Sequence, residues 1–276
     1  MQRTRLILLL IIASTLAAPL YALPSTETDY IVSGYEIVLV LHELLFVFWL
    51  GPDIGVFIWS HKAVQPDLTD SQRVTAGKMI HTIDLMPRIC ISLMLTIGGI
   101  LTEVVGIEHP TWQMVGIVLL GPVWLAMVLI SYFREGTALG ETVNRLDFWF
   151  RWGLILAIIV SVSYSVGTDR LVSAPWVAWK LLIFAAIVFF GLIMRIQLMP
   201  FADGLRELES TGASDAVNES MAGSLRRARP MFLAIWAGLI IEAGLGIVQP
   251  GSVEVENAEA AAAAQLQQQA ETIGSP

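Results

Sequence analysis

The chain has 276 residues, 55% of them hydrophobic and only 14% charged, with a net charge of −8. So few charged groups cannot cover a water-soluble globule of this length, so the excess apolar surface must face lipid. The acidic balance and the absence of one large basic patch exclude a nucleic-acid partner, and the single cysteine, Cys90, excludes an intrachain disulfide and disfavours a cysteine metal cage.

In chain order, Arg3 and Arg5 precede an apolar stretch over residues 6–18 that is short for a membrane crossing. Pro19 and Leu20-Tyr21-Ala22 follow. Residues 1–22 therefore read as an export signal, cleaved or retained as an anchor. Residues 23–250 read as an all-α bundle of about six transmembrane helices, and 251–276 as a low-complexity tail with alanine and glutamine runs.

The six apolar runs cover 31–59, 80–105, 112–133, 148–166, 176–196 and 231–248. Each is near the ~20 residues that cross ~30 Å of hydrocarbon as a helix, and none alternates as a barrel strand would. Lys62, Arg73, Lys78, Arg134, Arg145, Arg151, Arg195, Arg206, Arg226, Arg227 and Arg229 fall in or beside alternate connections. The other connections hold mainly Glu103, Glu108, His109 and Asp169, with one Arg170. Basic loops stay cytoplasmic, so the expectation is a multi-pass protein of a bacterial inner membrane with both mature ends in the periplasm. The polar 203–229 connection is expected to hold short surface helices.

Ionisable groups inside apolar runs cost ~2.5–3.5 kcal/mol at mid-membrane on insertion scales, so they should turn inward and find partners. The first run holds His42, Glu43, Pro52 and Asp53; the second holds Asp84, Pro87 and Arg88; the fifth holds Lys180; the sixth holds Glu242. His42 falls ~16 Å below the start of its run at 1.5 Å per residue. Lys180 and Glu242 are matched in depth near the outer ends of their helices and could pair. Asp84 and Arg88, four apart, share a face and could form a local ion pair. Pro52 is expected to kink the first helix. His42 reads either as a haem or metal ligand or as a histidine hydrogen-bonded to a neighbouring helix. Trp49, Trp176 and Trp179 read either as stacking residues for a flat cofactor or as members of an interfacial belt. Arg195, at a helix end, is expected to snorkel to the interface.

Leu41-His42, Trp49, Gly51, Phe57 and His61 together resemble the opening helix of the bacterial membrane protoporphyrinogen IX oxidase family. Met86-Pro87 with Gly98-Gly99 resembles its second helix, Trp176-x-x-Trp179-Lys180-Leu181-Leu182 its Trp-x-x-Lys-Leu-Leu helix, and Arg229-Pro230 the start of its last. The copper-resistance D family shares this broad layout. The resemblance covers four of the six helices, with residues 112–166 as an insertion. It implies a haem-binding oxidoreductase or electron-transfer protein carrying haem b, with His42 as iron ligand and Lys180 as a functional residue near the cofactor. Arg88 would then neutralise a haem propionate, or else simply pair with Asp84 or Asp53. The other readings are a transporter or copper-handling protein with His42, Glu43 and Lys180 along its path, and a non-catalytic membrane subunit. The expected partner is the lipid bilayer, with a membrane or redox partner protein and a homo-oligomer left open.

Overall fold

A computed structural model describes residues 34–252. The expected export signal, and all but the first two residues of the expected tail, lie outside the described residues. The described chain forms eight helices: α1 (Gly34–Ala63), α2 (Asp70–Ile83), α3 (Leu85–Val104), α4 (Thr111–Phe133), α5 (Ala138–Gly167), α6 (Trp176–Gln197), α7 (Met199–Thr211) and α8 (Asp215–Val248). There is no strand among the described residues. Six segments are long and apolar enough to cross a membrane, with α2–α3 and α6–α7 each counted as one continuous span. The protein is an all-α membrane helical bundle.

Helix packing follows a closed order. α1 packs on α3, α3 on α4, α4 on α5, α5 on α6, α6 on α8, and α8 returns to α1. The shared core is Trp49, Cys90, Met94, Trp124, Phe184, Val188, Ile235 and Leu239, all buried, while Ile37, Val40, Leu44 and Val47 of α1 lie exposed on the outer surface. Lipid is as apolar as a leucine side chain, so close backbone approach holds such bundles together more than apolar burial does. A Cβ on Gly238 would lie 2.8 Å from Ile187, and one on Gly121 would lie 2.7 Å from Thr96 Oγ1. The Thr96 hydroxyl spends its proton on the Ile117 carbonyl (2.6 Å) and accepts from the Gly121 amide (2.8 Å), fastening α3 to α4.

Several boundaries depart from the sequence expectation. α5 starts ten residues before the fourth apolar run, because Thr137 caps the Gly140 amide and the polar stretch continues the helix. α8 starts at Asp215, capped by Ser214, and runs unbroken through Pro230, so the 203–229 connection is not all short helices. Pro52 likewise sits inside a continuous α1. The second run is interrupted at Asp84. Pro87 falls in the first turn of α3, where its missing N–H leaves no helix bond unmade.

At the Lys/Arg-rich end, α2, α7 and the first half of α8 form a small polar-faced layer over Ala63, Ala76, Phe201, Leu208, Val217 and Met221. Thr69 and Gln72 make a capping box that starts α2. Arg73 is 1% exposed; its Nε donates to the Ala63 carbonyl at 2.8 Å and so closes the C-terminus of α1.

Candidate functional site

α1, α6 and α8 meet in the half of the bundle opposite that basic layer. α1 and α6 start at this end and α8 finishes there. His42 lies about 12 Å along the axis from Gly34, Lys180 about 6 Å from Trp176, and Glu242 about 9 Å from Val248, at 1.5 Å per residue. Lys180 and Glu242 reach similar depths, as the sequence spacing predicts, and His42 comes closer to them than expected because α1 is described only from Gly34.

Lys180 is the centre of this group. Its ammonium lies 5.7 Å from the centroid of the Trp176 ring and 3.1 Å from where a Cβ on Gly246 would sit, so glycine at 246 makes the space it occupies. It interacts electrostatically with the carboxyls of Glu242 and Glu43, and with the His42 ring. It makes no contact ion pair and no hydrogen bond among the described residues, so the pairing expected with Glu242 is long-range rather than direct. His42 Nδ1 is buried with no hydrogen-bond partner, and its Cε1 edge rests 3.4 Å from the Cβ position of Gly98 on α3. Glu242 Oε1 and Trp176 Nε1 are also buried and unpartnered. Each such atom costs about 1–3 kcal/mol when left unsatisfied, so the junction favours a bound water or ligand that completes these bonds.

Below this junction the interior is apolar. Trp49, two helical turns after His42, is 4% exposed and meets the Phe184 ring edge-on with centroids 6.3 Å apart. Trp49 is thus a core residue beneath the site. Trp179 is not brought to it. Its indole is 62% exposed on the outer surface, because one residue of helix turns it about 100° from Lys180. Trp176 is the tryptophan that stands beside the ammonium. Arg88 is not brought to the site either: it lies ten residues before Gly98 on α3, about 15 Å along the axis, and is ion-paired with Asp84. Of the two readings of Arg88, the pairing with Asp84 is the one observed.

A second polar layer lies nearer the basic end. Asp53 is buried and accepts from Trp236 Nε1 at 2.7 Å. Asp147 accepts from Trp124 Nε1 (2.9 Å), Arg151 Nε (3.0 Å) and Arg195 Nη1 (3.1 Å), joining α4, α5 and α6. Arg195 also donates to the Asn144 side chain. It is therefore a bridging residue between α5 and α6 and does not snorkel freely. Sequence reading missed this hub, because Asp147 falls one residue before the fourth apolar run. The Asp147/Arg151 spacing of four was the available signal.

The other histidines serve local structure. His61 Nδ1 bonds to the Phe57 carbonyl, His81 stacks on Tyr132, and His109 Nε2 bonds to Thr102. No group of three or more His, Cys, Asp or Glu suited to a metal ion occurs among the described residues. No protein-family profile matches the chain, and neither a curated protein nor a solved structure matches it.

Proposed function

We propose that the chain is a haem-binding redox protein of the bacterial inner membrane, with both mature ends on the periplasmic side. The observation that carries this reading is an imidazole nitrogen, His42 Nδ1, buried without a partner beside an ammonium that has no direct counter-ion. A histidine with an uncommitted nitrogen in an apolar helix interior is a suitable axial ligand, and a lysine free of contact pairing is a suitable partner for a carboxylate-bearing macrocycle. The donor set fits one protein ligand, since none of the other three histidines bonds to or stacks on His42 among the described residues. The resemblance carried by Leu41-His42, Trp49 and Trp176-x-x-Trp179-Lys180 supports the same reading, and the crowding of basic residues at one end supports the orientation.

A haem held there would supply one-electron chemistry that no side chain provides. The chain's own residues would do the rest. His42 orients on Gly98. Lys180 neutralises negative charge at the outer end of α6. Glu242 offers a carboxyl oxygen able to take or give a proton, and Trp49 with Phe184 seals the floor against water. The test is the optical spectrum of full-length protein purified in detergent from haem-replete cells. A Soret band that disappears in His42→Ala, with helicity retained by circular dichroism, supports the reading. Folded wild-type protein without a chromophore overturns it.

Lys180, set between the partly buried Glu242 and the exposed Glu43, favours one second reading, a path for protons or ions at this junction. Flux in proteoliposomes that Glu43→Gln or Glu242→Gln abolishes, in protein that carries no haem, would select it.

A further inference from the structure

Several basic residues near the polar layer are paired and others are not. Lys78 is bonded to Glu209, Arg206 to Asp203, Arg88 to Asp84, and Arg151 and Arg195 to Asp147. Arg226, Arg227 and Arg229 of α8 are exposed and have no carboxylate partner among the described residues. Two of the three converge. A Cβ on Gly223 would lie 3.5 Å from Arg227 Nη1 and 3.7 Å from Arg226 Nη2, so both guanidinium groups fold back over the same glycine. Residues 223, 226, 227 and 230 share one helix face at spacings of three and four. The opposite face, with Ser224, Leu225 and Ala228, is buried.

Two like charges held over one glycine, with no carboxylate in ion-pair contact among the described residues, repel each other unless an anion lies between them. Planar guanidinium forks match phosphate oxygens in pairs. The position selects which phosphate. The arginines end at Pro230, where the polar half of α8 gives way to the apolar run 231–248, so their heads stand at headgroup level. We propose that Arg226 and Arg227, with Arg229 alongside, form a binding site for the phosphate of an anionic phospholipid on the basic side of the membrane.

The test uses the full chain in nanodiscs or detergent, probed by native mass spectrometry and thermal stabilisation with phosphatidylglycerol or cardiolipin against phosphatidylcholine. The expected result is preferential retention of anionic lipid by the wild type and a loss of about tenfold or more in Arg226→Gln/Arg227→Gln. Arg226→Lys/Arg227→Lys should retain part of the preference, and Lys78→Gln/Arg206→Gln, which removes only paired cations, should retain all of it. Equal lipid retention by the wild type and the double glutamine variant would overturn the proposal. So would displacement of the lipid by millimolar inorganic phosphate, which would make the site one for a free anion.

Discussion

The indole of Trp236 on α8 donates a 2.7 Å hydrogen bond to the buried Asp53 carboxylate on α1, and this bond closes the ring of helices between its first and last members. Trp236→Phe keeps the aromatic contacts with Phe57 and Phe232 while removing the donor. The carboxyl is then left without its partner, at a cost of about 1–3 kcal/mol. The expected outcome is a lower thermal midpoint in detergent, largely restored by adding Asp53→Leu.

The hub at Asp147 should matter more. Arg151 and Arg195 both spend donors on Oδ2 of one carboxylate, and the Arg151 side chain is mostly buried. Asp147→Ala leaves two cations and the Trp124 N–H uncompensated, which costs about 3 kcal/mol or more. Asp203→Ala breaks an exposed pair with Arg206 and should cost less than about 1 kcal/mol. Equal losses in chemical denaturation of the two variants would refute this account of the hub.

Lys180 and Glu242 interact without touching, so their coupling is measurable by a double-mutant cycle. Lys180→Met and Glu242→Gln should each destabilise the bundle, and the pair together should cost less than the sum, with a coupling of about 0.5–3 kcal/mol. Strict additivity would mean that the two charges do not sense each other.

Gly238→Ala tests how tightly α6 and α8 are seated. The added methyl would lie 2.8 Å from Ile187, and overpacking of this kind costs about 1–3 kcal/mol. Gly244→Ala, where the methyl meets open space, should be neutral or slightly stabilising. Thermal melts of the two variants side by side decide the point.

The six crossings were legible in the sequence because each is a long apolar run, and the depth match of Lys180 and Glu242 followed from counting residues along them. The polar extensions were less legible. Residues 138–147 and 215–229 are helical because of caps at Thr137 and Ser214 and packing against neighbours, which hydropathy does not register. Trp179 was read with Trp49 and Trp176 as a stacking residue, yet one residue of helix turns it about 100° from Lys180 and onto the outer surface. Arg73 lay in an expected cytoplasmic connection, and nothing in its local sequence announces that its guanidinium closes the C-terminus of α1.

The closed helix order has a consequence for biosynthesis. Among the described residues, the gap between α1 and α6 is filled only by α8, the last of these helices in the chain. Until α8 inserts, Asp53 has no indole to bond and Lys180 has only Glu43 as a counter-charge. Nascent chains lacking residues beyond 230 should therefore remain open-sided in the bilayer, exposed to membrane quality-control proteases until α8 is in place.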